Sequence, residues 1–167
     1  MTVRSRLLIA MVLAPVAWGV ACHDGDGPTA PAIPPAVQQL KESLAPYSSL
    51  ALAKSAGYDL ALTDCMSNGD EGAMGVHWAN VTLIDGRADA SHPEALIYEP
   101  GTDGQASLVG VEYIVPYAIV PKTSPAPELF GQKFTQNEVF AVWALHVWTH
   151  RANPSGLFAS WNPRVHC

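Results

Sequence analysis

The chain has 167 residues, a formal charge of −6 from 9 Lys and Arg against 15 Asp and Glu, and 49% hydrophobic residues. That length supports one domain with a real core. The acidic balance and the absence of a Lys/Arg cluster exclude nucleic acid as a partner and electrostatic docking on anionic lipid.

Residues 1–21 read as a signal peptide. Arg4 and Arg6 form a positive n-region, Leu7 to Val16 an apolar h-region, and Gly19-Val20-Ala21 a small-residue cleavage site. The apolar run is short for a spanning helix and is broken by Pro15. GVAC, residues 19–22, resembles a bacterial lipobox, in which Cys22 is lipidated and becomes the mature N-terminus, although Gly19 stands where a leucine is usual. Plain secretion with Cys22 left as a spare thiol is the alternative. On the first reading the membrane is a partner through the lipid anchor. The Pro- and Gly-rich residues 22–36 then form a flexible tether and 37–167 a single domain. Removing residues 1–21 deletes Arg4 and Arg6 and no acid, which takes the formal charge from −6 to −8.

With Cys22 assigned to lipid, Cys65 and Cys167 form a natural disulfide pair in an oxidising compartment. Neither belongs to a CxxC, so a two-cysteine metal site is the weaker alternative.

From Ala36, apolar residues Val37, Leu40, Leu44 and Tyr47 recur at helical spacing. Pro46 suits the first turn of a second helix, and Gly57 is a good C-cap. Two helices near 35–45 and 47–56 are therefore predicted. Beyond Gly57 the texture becomes β. Predicted strands are 75–81, 95–99, 107–116 (with a continuation to Pro121 open) and a long 139–150, with Asp103-Gly104 as a hairpin turn. LFGQKF, 129–134, reads as irregular or a short strand. The fold class is α+β: an antiparallel sheet of four or five strands, open or curled toward a barrel, with the N-terminal helices on one face.

GVEYIVP, residues 110–116, carries the chemistry. Alternation puts Leu108, Gly110, Glu112 and Ile114 on one face and Val109, Val111, Tyr113 and Val115 on the other. Both faces are apolar, so Glu112 is expected inside, where an unpaired carboxylate is expensive. His77 within GVHWAN and His146 within VWALHVWTH have similar settings. Two imidazoles and one carboxylate bind Zn²⁺ with an open position or Fe²⁺ as a facial triad. His77, Glu112 and His146 are thus candidate ligands of one divalent ion, Zn, Fe or Cu being equally compatible. Metal affinity is expected to fall below about pH 6, where imidazoles protonate. The bland reading pairs Glu112 with Lys122, Lys133 or Arg151 and leaves each histidine on a backbone carbonyl.

Other residues are weaker candidates. His150 is either a fourth ligand or a solvent-facing residue; His92 and His166 read as surface. Ser67, Ser107 and Ser155 lie in no GxSxG elbow. GDEGAMG, 69–75, matches no phosphate-binding loop. Most tryptophans alternate within strands, as core residues do.

The blocks GAMGVHWAN, PEALIYEP, LVGVEYIVP, LFGQKF, LHVW and NPSGLFASWNPRVHC resemble a family of small exported bacterial proteins of unassigned function, from about Tyr47 to Cys167. The resemblance implies no activity and no catalytic residue. The expectation is an exported, lipid-anchored envelope domain whose metal site binds or transforms a small-molecule ligand. The alternative is a non-catalytic binding or accessory domain in which the same cluster is a hydrogen-bond network.

Overall fold

The computed structural model describes residues 33–102 and 104–167. The predicted signal peptide, Cys22, most of the predicted tether and Asp103 of the expected turn lie outside the described residues.

Helix α1, Pro35–Ser43, starts on Pro34 and Pro35, where a missing N–H breaks no helical bond. It stops short of the predicted 45 because Pro46 has no N–H to offer the carbonyl of Glu42. The chain tightens into a 3₁₀ turn at Ala45–Tyr47 instead. Helix α2, Leu50–Ser55, follows extended Ser49. Gly57, at φ 98°, closes it, with the Tyr58 N–H reaching back to the carbonyl of Ala53.

Among the described residues nine strands follow: β1 Leu60–Ala61, β2 Met66–Ser67, β3 Ala73–Ala79, β4 Ala95–Pro100, β5 Ala106–Pro116, β6 Glu128–Leu129, β7 Gln132–Lys133, β8 Thr135–Asn137 and β9 Val142–Val147. Seven of them form one antiparallel sheet in the order β1-β3-β4-β5-β9-β8, with β2 beside β1 on the edge of β3. The fold is α+β, as predicted, and the sheet is open rather than closed into a barrel. The four long strands are the predicted ones; the others are two or three residues each. LFGQKF forms part of the small β6–β7 hairpin, turning through Phe130 and Gly131 at positive φ. β5 ends at Pro116 rather than running to Pro121. β9 is half the predicted length, because Ala141 at φ 53° breaks the extended chain before it.

The helices cover one face. Val37, Leu40, Leu44 and Ala53 pack with Leu96, Tyr98, Val111, Tyr113, Val115, Leu145 and Val147 in the main core. The predicted alternation of β5 holds from Gly110 onward and fails before it. Ile97 pairs with Gly110 but Tyr98 with Leu108, so Val109 is the extra residue of a β-bulge. Leu108 accordingly joins the helix-side core, while Val109 joins Ala73, Ile97, Trp148 and Val165 on the opposite face. There the C-terminal tail is held by the Ala73–Asn162 bridge. A disulfide between Cys65 and Cys167 ties the last residue to the segment between β1 and β2, across 102 positions of sequence.

Candidate metal centre

Register decides what meets on the face away from the helices. Ala79, Ala95, Glu112 and His146 form one row across β3, β4, β5 and β9, and His77 lies two residues from that row on β3. Glu112 and His146 are direct cross-strand partners, so their side chains are neighbours by construction. His77 is two strands from Glu112, and the methyl group of Ala95 between them leaves the space across which its ring reaches. The His77 Nε2 lies 3.4 Å from Glu112 Oε2 and 3.0 Å from His146 Nε2, and His146 Nε2 lies 3.6 Å from Glu112 Oε1.

All three side chains are buried, with residue exposures of 2% for His77, 8% for Glu112 and 6% for His146. The two rings meet edge to face, and His146 stacks on Trp148. On the far side of His77, Nδ1 faces the Thr63 hydroxyl at 3.3 Å. Thr63 is placed by the bond from the Leu62 N–H to the His77 carbonyl, which carries the β1 edge past the end of its pairing.

None of the cations proposed for Glu112 in the bland reading reaches it. Lys122 binds Glu138, Arg151 binds Glu99, and Lys133 lies exposed on β7. Burial therefore acts almost alone on the titration of the cluster. It pushes Glu112 up to about 8, helped by Glu94, and His77 down to about 4. Burial and then the neighbouring His77 push His146 down to about 3. Near pH 7 the cluster without an ion is neutral: both imidazoles uncharged and the carboxyl protonated. The expected break near pH 6 is thereby displaced, since it is the Glu112 proton, lost near pH 8, that competes with a cation.

Three donor atoms, one from each residue, lie within 4.8 Å of one another, and the set could hold a metal ion. Tetrahedral bonds of 2.0–2.1 Å place neighbouring ligand atoms about 3.3–3.4 Å apart; the two Nε2 atoms are 3.0 Å apart, and each lies near a different Glu112 oxygen, His77 3.4 Å from Oε2 and His146 3.6 Å from Oε1. The cluster forms part of the wall of a cavity of about 450 Å³, whose other walls include Leu62, Met66, Met74, Ile114 and Phe140.

The remaining histidines lie elsewhere. His150 falls beyond the end of β9, exposed, with Nδ1 on the Thr149 hydroxyl, so it is not a fourth ligand. His92 is on the surface beside Asp89, and exposed His166 donates its backbone N–H to Glu99. Trp143 and Trp148 are core residues, each donating its indole N–H to a backbone carbonyl.

Sequence reasoning missed Glu94. It is 1% exposed, and its Oε2 accepts the Ile114 N–H where β4 begins, one strand from the cluster. Burial raises it to about 7. Its position, between Pro93 and the apolar run Ala95–Ile97, was the available signal. Thr63 carried none.

No family model, curated protein or solved structure matches the chain.

Proposed function

We propose that this is an exported, lipid-anchored domain of the bacterial envelope, of the small exported family its sequence blocks resemble, with one divalent metal ion held by His77, Glu112 and His146. The observation that carries the metal reading is the convergence of two imidazoles and a carboxylate, buried, with no Lys or Arg ion-paired to the carboxylate among the described residues, in the wall of a cavity. Three protein ligands leave a coordination position for a small ligand, and an ion there polarises it or activates water. The Cys65–Cys167 disulfide supports residence in an oxidising compartment. Among the described residues no helix is long and apolar enough to cross a membrane.

The direct test is metal analysis of untagged protein from its producing host, with calorimetric titration of Zn²⁺, Fe²⁺ and Cu²⁺ into the stripped form. One equivalent bound by the wild type and lost in His146→Ala supports the reading. A stripped protein that binds none of these ions sinks it.

The 3.0 Å contact between the two Nε2 atoms favours a second reading, a neutral hydrogen-bond network that orients a ligand in a non-catalytic domain. On that reading ligand binding survives chelation.

A further inference from the structure

The chemistry of the cavity specifies an occupant, given the metal reading above. Two neutral imidazoles, one carboxylate and a divalent ion leave the centre with one net positive charge. The described residues lining the cavity include no Lys, Arg or Asp, and Glu112 is the one acid among them. Thr63 is turned to His77, and Asn137 accepts the Phe140 N–H through its side-chain oxygen. The remaining walls, Met66, Met74 and Ile114 among them, are apolar. The apolar lining reaches the surface, where Leu62 is 36% and Phe140 45% exposed.

A charge in such surroundings is stabilised by a counter-charge far more than by a dipole. A polyanion would bring excess charge and more polar surface than the Asn137 amide and the Thr63 hydroxyl could receive. A neutral apolar molecule would cover the walls and leave the centre charged. We infer that the cavity binds an apolar monocarboxylate, its head group on the ion and its hydrocarbon body against Met66, Met74, Ile114 and Phe140. The volume of about 450 Å³ falls within the ordinary range for small organic ligands.

The experiment uses purified, untagged protein with its disulfide intact, loaded with Co²⁺, whose visible bands report coordination. Co²⁺ affinity is measured first by calorimetry. Octanoate, acetate, octanamide and phosphate are then titrated in turn. Octanoate is expected to change the Co²⁺ spectrum and to bind at least about tenfold more tightly than acetate, which lacks the apolar body. It should exceed octanamide, which lacks the charge, by a similar margin of about tenfold. Phe140→Ala, at an exposed position, should weaken octanoate by about three- to tenfold and leave Co²⁺ affinity unchanged.

Failure to bind Co²⁺ overturns the metal reading and this inference together. Bound Co²⁺ with a silent spectrum, or equal binding of acetate, octanamide or phosphate, overturns the monocarboxylate inference alone. An unchanged octanoate affinity in Phe140→Ala overturns the placement of the body in this cavity.

Discussion

His77 Nε2 stands 3.0 Å from His146 Nε2, a hydrogen bond that needs one proton and one lone pair. Two imidazolium rings would face each other donor to donor, so the contact requires that only one of the two nitrogens carry a proton. The depressed basicity of both rings satisfies that condition. An ion bound to both Nε2 atoms needs both lone pairs, and the proton between them must move. On whichever ring carries it, the other nitrogen is the natural destination, and for His77 that nitrogen faces Thr63.

Thr63→Val tests this route. With an ion on Nε2, the Thr63 hydroxyl, 3.3 Å from His77 Nδ1, would accept the Nδ1 proton and fix the ring, as outer-shell partners of ligating histidines do. Metal affinity in the variant should fall about tenfold or more, while the melting temperature of the metal-free protein changes little. Equal affinities in the two proteins would show that Thr63 has no part in ligation.

Metal binding should release close to one proton between about pH 5 and 7. In that window both histidines are already neutral, with values of about 4 and 3, and Glu112, raised to about 8, is still protonated. Calorimetry in buffers of different ionisation enthalpy measures the number directly. Affinity should fall about tenfold per pH unit over the same range. Release of two protons near pH 6, or of none, contradicts the assignment.

The fold was largely legible because the periodicities were strong: a helical stripe from Val37 and apolar strands around Leu96, Val111 and Leu145. The candidate site was legible as residue types, since His77, Glu112 and His146 each interrupt an apolar strand. Their convergence was not, because it depends on register. Shifting β4 by one residue against β5 would replace Ala95 by Glu94 or Leu96 opposite Glu112, and no local pattern forbids that. The bulge at Val109 was hidden for the same reason, and with it the true face of Leu108. Thr63 and the Met66 wall come from short edge segments placed by pairing with β3 rather than by any propensity of their own.

Reduction of the disulfide should lower stability sharply. Closing a loop of 102 residues constrains the unfolded chain by about 4–5 kcal/mol on the entropy model, a drop of about 10 °C or more in Tm. Cys65 adjoins Met66, and Thr63 lies two residues before it, so reduction should weaken metal binding as well. A melting temperature insensitive to reductant would show that the bridge contributes little.

Cys22 should carry the lipid in protein recovered from its own envelope, on the pattern of small residues before it and the proline-rich segment after it. Mass spectrometry should find an acylated Cys22 at the mature N-terminus, and Cys22→Ser should move the protein into the soluble fraction. An unmodified mature chain with a free Cys22 would leave plain secretion as the correct reading.

Glu112→Gln should remove the larger part of the alkaline loss of stability of the metal-free protein and leave the part due to Glu94. The native state holds the Glu112 and Glu94 protons more tightly than their ordinary value of 4.5, to about 8 and about 7. Their contributions are full below pH 4.5 and are lost as pH rises through the folded values. Each carboxyl contributes a slope of up to about 1.4 kcal/mol per pH unit. The histidines work in the opposite sense: lowered from 6.5, they stabilise above that value and lose their effect as pH falls toward 4 and 3. The opposed slopes cancel between about 4.5 and 6.5, giving a broad plateau with losses on both sides. Between pH 7 and 8 Glu94 is completing its titration and Glu112 carries most of the remaining change, so there the wild type should lose melting temperature more steeply than Glu112→Gln. Saturating Zn²⁺ should flatten the wild-type profile over the same interval, because the ion replaces the proton that burial otherwise demands. If metal-free wild type and variant melt in parallel from pH 6.5 to 8, Glu112 is ionised or hydrated in the fold, and the buried neutral cluster described above does not exist.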